Sequence, residues 1–351
     1  MKICIIAPVL SGKGGTETVV TKVINSIFLD HQGLKVSLYL AGGTYNSEWL
    51  NALKNTIIYN ITSKSKIIKL LKLIKFLVTS NDDALLILST KLIYIAAIVK
   101  KIFHKKYKIV SWIHFSLFDE AQVNIKQLRY ADSHFAISSG IKKQLKSVGV
   151  NDELVHIIFN PVTKNSSTIR FPKNNSAEFM YVGRILFDGQ KNIHELIDFM
   201  AKQETTSWKL HLFGTGPDEE KCKKYILNNY PEKQNCFIWH GWDRNPWKKI
   251  ETVNALILTS KFEGFPMVLL EAMSRGIPCI SSNCPTGPAD IINSKNGQLY
   301  ETGNFEDFSQ KMKLLMSTEY DSKKIKMSID KFYDANYEYN FLKSLEEVVK
   351  K

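Results

Sequence analysis

Two carboxylates, Glu263 and Glu271, bracket the run Gly264-Phe265-Pro266-Met267-Val268-Leu269-Leu270. A strand-like run, Ala255 to Thr259, leads into this block, and Pro266 suits the first turn of a helix. Glu271 then lies inside the helix and Glu263 just before it. The unbonded amides of Phe265, Pro266's successor Met267, and Val268 make an anion site beside the two acceptors. Carboxylates there can bond ligand hydroxyls while a diphosphate faces the helix end; spacing alone fits a capping acid and an ordinary helix glutamate at least as well. Cations come from a second block, Tyr181-Val182-Gly183-Arg184, with Lys191 following a loop of Asp188, Gly189 and Gln190. Two cations at the carboxyl end of a strand can neutralise a diphosphate leaving group, or can simply be surface cations of a lysine-rich chain.

His114 closes the strand-like run Lys108 to Ile113 and points the same way, although a single histidine serves packing as readily as chemistry. The first strand runs into Ser11-Gly12-Lys13-Gly14-Gly15-Thr16-Glu17-Thr18. A glycine-rich turn of this kind brings backbone N–H groups close to a phosphate or sugar, or lets strand and helix pack closely. Glu17 stands where a dinucleotide fingerprint needs glycine, and no Gly-Lys-Ser/Thr follows, so both nucleotide motifs fail. There is no Asp-x-Asp triplet, no cluster with metal-ligand spacing and no Gly-x-Ser-x-Gly elbow. Neither a metal nor any other cofactor is expected.

These residues need a scaffold that gathers strand ends. Short β-branched runs alternate with helix-length segments at Lys2 to Val9, Lys35 to Ala41, Ala84 to Ser89, Lys108 to Ile113, Asp132 to Ser138 and Val155 to Asn160. The rhythm breaks between Pro161 and Ser176, then restarts at Glu178 to Val182, Lys209 to Gly214, Cys236 to His240, Ala255 to Thr259 and Ile277 to Ser281. The pattern predicts an α/β protein of two doubly wound, Rossmann-like domains. The first covers 1–165 and the second 175–330; 331–351 is a helix crossing back to the first domain. Ligands of such sheets bind at the carboxyl ends of the strands, so the active site is expected in a cleft between the domains.

Hydrophobic residues make up 44% of the 351 and charged residues 23%, an ordinary globular balance. The five cysteines form no Cys-x-x-Cys pair and read as reduced. No signal peptide and no spanning segment is read, which predicts a cytoplasmic protein. The net charge of +13 points to nucleic acid, anionic lipid or phosphorylated ligands. Lys66, Lys69, Lys72 and Lys75 recur at three-residue steps among Ile and Leu, and Lys100, Lys101, Lys105, Lys106 and Lys108 cluster nearby. A basic amphipathic helix there can rest on an anionic membrane surface, or it can be a solvated face over a core-facing stripe.

In type and order, the Gly14-Gly15 turn, His114, Arg184 with Lys191, and the Glu263 to Glu271 block resemble the family 4 retaining glycosyltransferases of GT-B fold. Trp112 to Ser116, Ala136 to Lys142, Phe187 to Lys191, Ser260 to Met267 and Gly276 to Ser282 look like the bacterial lipopolysaccharide alpha-1,6-galactosyltransferases. The resemblance implies a retaining, metal-independent hexosyltransferase moving a sugar, galactose by analogy, from a UDP-sugar to a lipopolysaccharide or capsular acceptor that is lipid-linked and reached from the inner face of the cytoplasmic membrane. It places Glu271 on the ribose, Glu263 on the sugar hydroxyls, and Arg184 and Lys191 on departing UDP. Backbone groups from Phe265, Pro266, Met267 and Val268 contact sugar and phosphate. Gly14 and Gly15 approach from the first domain, His114 contacts the sugar near the reacting carbon, and Gly214 and Trp242 border the base. The rival readings are a nucleotide-sugar epimerase or hydrolase of the same architecture and a basic nucleic-acid-binding protein. The second lacks any aromatic-interleaved basic motif, so no nucleic-acid partner is expected.

Overall fold

The computed structural model describes residues 1–12, 14–30, 33–172, 177–203 and 207–350. Lys13 of the glycine-rich turn, His31 and the end of the inter-domain stretch, Ser176 included, lie outside the described residues. Two compact units emerge: Met1–Pro161 with Asp334–Lys351, and Val162–Tyr333.

Unit 1 carries β1 (Lys2–Ala7), α1 (Gly15–Asp30), β2 (Lys35–Leu40), β3 (Ile57–Asn60), α2 (Lys66–Thr79), β4 (Ala84–Ile87), α3 (Thr90–Ile102), β5 (Lys108–Ser111), β6 (Ser133–Ala136), α4 (Ser139–Ser147) and β7 (Val155–Ile157). Its seven strands are all parallel, in the order β3-β2-β1-β4-β5-β6-β7. The central strands β1 and β4 are buried almost throughout, as near-continuous apolar runs covered on both faces must be, whereas β3 alternates exposed and half-buried at the edge. Ser138 caps α4, its Oγ accepting from the Ile141 amide at 3.0 Å.

Unit 2 carries β8 (Ala177–Val182), α5 (Ile193–Ala201), β9 (Trp208–Phe213), α6 (Glu219–Asn229), β10 (Phe237–Gly241), β11 (Ala255–Leu258), α7 (Met267–Met273), β12 (Cys279–Ser282), α8 (Pro288–Ile291), β13 (Gly297–Tyr300), α9 (Phe305–Ser317) and α10 (Ser322–Ser328). Its six strands are parallel in the order β10-β9-β8-β11-β12-β13. Both orders reverse direction once, between β1 and β4 and between β8 and β11. At such a switch point neighbouring loops leave on opposite faces and open a crevice at the carboxyl edge.

The last helix, α11 (Asp334–Lys350), belongs to unit 1. Tyr337, Phe341, Leu345 and Val348 recur at three- and four-residue spacing and are all buried. Phe341 lies 5.9 Å from the Trp112 ring and 5.5 Å from Phe135, ring centre to ring centre. Val162 and Tyr333, the residues flanking the unit boundary, pair as an isolated parallel bridge.

All five cysteines are free thiols, four of them buried. Among the described residues no helix is long and apolar enough to cross a membrane, and no group of three or more His, Cys, Asp or Glu could hold a metal ion.

Candidate active site

In unit 2 the loops that leave β8 and β11 flank the switch point, which explains why residues far apart in sequence meet. Lys191 Nζ lies 2.6 Å from Glu263 Oε1, and the two side chains are only 16% and 7% exposed. Ser260 Oγ donates to the same oxygen at 2.6 Å, so both bonds fall on Oε1. A lysine–carboxylate pair this sheltered is held by mutual charge and hydrogen bonding rather than by solvent. The Ser282 hydroxyl, at the end of β12, donates to the Ser260 carbonyl at 2.6 Å, and the Thr286 hydroxyl donates to the Glu263 carbonyl. The strand-to-helix turn bearing Glu263 is therefore braced from the neighbouring strand.

The loop from Gly183 to Asn192 is pinned at several points. Arg184 Nη2 donates to Gln190 Oε1 at 2.9 Å, Tyr181 OH to the Arg184 carbonyl at 2.8 Å, and the Lys261 amide to the Gln190 carbonyl at 2.9 Å. The Thr259 hydroxyl reaches the carbonyls of Lys191 and Asn192 at 3.2 and 3.1 Å. Behind the loop, the His194 ring stacks on Phe187 with centres 4.6 Å apart. Arg184, Lys191 and Glu263 thus come together around one crevice edge.

Gly183, Gly214 and Gly241 stand at the carboxyl ends of three neighbouring strands. The Gly214 amide donates to the Gly241 carbonyl at 2.7 Å, and Gly214 has φ +139°. A Cβ on Gly214 would lie 1.8 Å from the Gly183 carbonyl oxygen. Close backbone approach therefore accounts for this glycine without any ligand. Trp242, next in line, is more than half exposed. Phe265 and Pro266 are buried, with Phe265 set edge-on to Phe332 at 5.5 Å, while Met267, Val268 and Glu271 are half-buried. Pro266 is the N-cap of α7 rather than a residue within its first turn.

In unit 1 the glycine-rich turn follows β1. Glu17 is buried and accepts from Ser11 Oγ at 2.8 Å and from the Gly12 amide at 2.5 Å. The residue that breaks the dinucleotide fingerprint is thus the one that ties the turn. A Cβ on Gly15 would meet nothing within 4 Å, so packing does not demand glycine there. β5 ends at Ser111, earlier than the sequence suggests; the Trp112 amide still donates to the Ile87 carbonyl of β4 at 2.9 Å, and the strand goes no further. His114 is buried against Trp112, ring centres 4.7 Å apart, and its Nε2 has no hydrogen-bond partner among the described residues. Burial pushes its pKa down to about 3, so the ring is neutral and can serve a hydroxyl but not a phosphate as a cation.

Ser260, Thr286, Gln190, His194 and Glu17 carry the geometry, and sequence reasoning gave none of them a role in the site. Only Glu17 left a signal: an acid inside a glycine-rich turn, where a carboxylate can collect amide and hydroxyl donors.

His134, with Nδ1 2.6 Å from Ser111 Oγ, is also buried, and its pKa falls to about 4. Both histidines titrate lower in the folded chain than their unfolded value of 6.5. Below about 6.5 the unfolded chain binds the extra protons, so stability must fall on acidification, by about 1.4 kcal/mol per pH unit per histidine. Urea unfolding at about pH 7 and about pH 5.5 should show this loss, with a shallower pH slope in His134→Gln. Equal slopes in the two proteins would refute it.

Residues 163–331 match the family model described as "Glycosyl transferases group 1". The chain is 37% identical to the lipopolysaccharide 1,6-galactosyltransferase of Escherichia coli (strain K12) over 96% of both chains. The chain belongs to the group 1 glycosyltransferases. The solved structure of the lipopolysaccharide outer core galactosyltransferase WaaB in its apo form superposes on this glycosyltransferase with a TM-score of 0.86 at 35% identity, covering 99% of each chain. Anabaena HepE in complex with UDP gives a TM-score of 0.79 over 99% of this chain and 100% of that one; at 17% identity it speaks for the shared GT-B fold alone.

The lysine-rich helix of this glycosyltransferase differs from the regular basic face its spacing suggested. Lys69 is half-buried, with Nζ donating to the Gly42 carbonyl at 3.2 Å, Lys105 Nζ donates to the Val78 carbonyl at 2.9 Å, and Lys100 pairs with Asp132 at 2.7 Å. Exposed aliphatics accompany the remaining lysines: Ile67 is 71% and Leu71 60% exposed, and only Leu73 and Leu77 of α2 are buried.

Proposed function

We propose that this glycosyltransferase moves a hexose, galactose by its relatives, from a UDP-sugar to a lipopolysaccharide acceptor with retention of configuration and without a metal. The observation that carries the reading is the Lys191–Glu263 pair beside Arg184 at the switch point of unit 2. The identity to the lipopolysaccharide 1,6-galactosyltransferase of Escherichia coli supports the choice of sugar and of acceptor class.

In this reading Glu263 accepts hydroxyl protons of the donor sugar and Glu271 those of the ribose. Lys191 turns from Glu263 toward the pyrophosphate, which Arg184 also faces. Backbone groups of Phe265 to Val268, with Gly214 and Trp242, line the rest of the donor. Gly14, Gly15 and His114 serve from unit 1, where the neutral His114 Nε2 suits a sugar hydroxyl. The acceptor oxygen bonds to the anomeric carbon as the bond from that carbon to the β-phosphate oxygen breaks. The acceptor's proton passes to the leaving phosphate on the same face. Catalysis then rests on positioning and on cations placed where negative charge develops.

The test is a donor screen: UDP-, GDP- and ADP-sugars with a core oligosaccharide acceptor, with and without EDTA. Glycoside formed only from a UDP-hexose, equally in EDTA and with the anomeric configuration kept, is expected. Free sugar or an epimer without glycoside would overturn the transferase reading in favour of its enzyme rivals.

The lipid-carried acceptor fits an approach to the inner face of the cytoplasmic membrane through α2. Four exposed aliphatics, Ile67, Ile68, Leu70 and Leu71, beside exposed Lys66, Lys72 and Lys75 support a partly inserted, basic surface. Flotation with vesicles containing anionic phosphatidylglycerol should fall severalfold in Lys66→Glu/Lys72→Glu and at least as far in Ile67→Asp/Leu71→Asp. UDP binding should be kept. Undiminished flotation in both variants would remove the membrane face.

A further inference from the structure

We infer that Ser260 is a positioning residue for recognition of the donor sugar: its hydroxyl holds Oε1 of Glu263 so that Oε2 faces the sugar, and it keeps that hold when Lys191 leaves for the pyrophosphate. The inference rests on the transferase reading above. Lys191 Nζ and Ser260 Oγ both meet Oε1 at 2.6 Å, and no donor among the described residues reaches Oε2. One carboxylate oxygen is thus taken by the protein and the other is left for a ligand. Ser260 itself is 0% exposed, so it touches no ligand and acts only through Glu263. Among the described residues its hydroxyl bonds no backbone group, so formation of the local turn does not account for it.

The surrounding bonds make Ser260 a fixed point. Its own carbonyl accepts from Ser282 Oγ at 2.6 Å, and the Glu263 carbonyl accepts from the Thr286 hydroxyl. The preceding residue, Thr259, donates to the carbonyls of Lys191 and Asn192. Consecutive residues past the end of β11 therefore hold the two members of the pair in different ways. Thr259 grips the lysine by its backbone, which leaves the ammonium free to swing, whereas Ser260 grips the glutamate by its carboxylate, which does not. The last torsion of a glutamate side chain is soft, so a carboxylate released by Lys191 and lacking a second donor would turn about it. A hydroxyl bonded to an ionised carboxylate makes the stronger kind of hydrogen bond, and here it keeps one oxygen in place while the other accepts from a sugar hydroxyl.

The test titrates the full chain with UDP-galactose and with UDP, which has no hexose for Glu263 to meet. In Ser260→Ala the Kd for UDP-galactose should rise about tenfold, the effect of losing one hydrogen bond to a charged group, while the Kd for UDP holds. In Glu263→Ala no carboxylate is left to orient, so adding Ser260→Ala should change the UDP-galactose Kd by less than about twofold. Should Ser260→Ala fail to fold, Ser260→Cys, which nearly keeps the volume but donates only weakly, takes its place. An unchanged UDP-galactose Kd in the single variant overturns the inference. So does a loss that persists in full without Glu263, and so does equal weakening of UDP and UDP-galactose, the mark of a merely structural residue. In each of these cases glycoside formation by the wild-type chain leaves the transferase reading standing. A wild-type chain that binds neither UDP nor UDP-galactose overturns both together.

Discussion

Lys191→Ala should lower turnover for glycosyl transfer by about a thousandfold, the upper end of what one positioned charge at a developing anion contributes. The variant has a second effect. Glu263 is 7% exposed and loses its only paired cation among the described residues, and a buried carboxylate stripped of its partner costs about 3–5 kcal/mol. Activity and stability must therefore be read together. Glu263→Gln in the Lys191→Ala background removes the orphaned charge and should recover much of the melting temperature while turnover stays low. Near-wild-type turnover in Lys191→Ala would take this lysine out of the mechanism.

Gly214→Ala should destabilise unit 2 by roughly 3 kcal/mol or more, since a side chain there combines a backbone conformation disfavoured for L-residues with a collision against a carbonyl that cannot swing away. The collision, 1.8 Å from the Gly183 oxygen, falls beside Arg184. Whatever folded protein remains should bind UDP more weakly. Gly15→Ala is the informative contrast, because a methyl there meets no atom and the melting temperature should hold. A melting temperature for Gly214→Ala within a degree or so of wild type would show that the strand ends can spread, contrary to the close approach described.

The strands that form the cores of both sheets were legible because apolar runs of four to six residues recur between helix-length segments. β3 and β13 were not. Ile57–Asn60 is a short edge strand with no buried face, and Gly297–Tyr300 opens on a glycine packed against the Cys279 carbonyl. Neither carries the pattern that burial on two faces writes into a sequence. At the site, residue types at strand ends marked Arg184, Lys191 and Glu263 one by one. Their meeting was not legible, since Lys191 and Glu263 are 72 positions apart and only the strand order, with β11 beside β8, brings their loops together. Ser260 and Thr286 escaped notice because serine and threonine are common in loops, and a brace to a carbonyl leaves no periodic trace. The basic helix was legible as helix and as basic, but which lysines turn inward depended on where the Gly42 carbonyl happens to lie.

The placement of α11 has a bearing on biosynthesis. Trp112 and Phe135 precede unit 2 in the sequence, yet the Phe341 ring that covers them follows it. During translation the N-terminal body must wait, with an apolar face uncovered, while the whole of unit 2 is made. Proteolytic removal of this helix should accordingly turn a soluble product into one that aggregates or is captured by chaperones, even though every residue proposed to touch UDP would still be present.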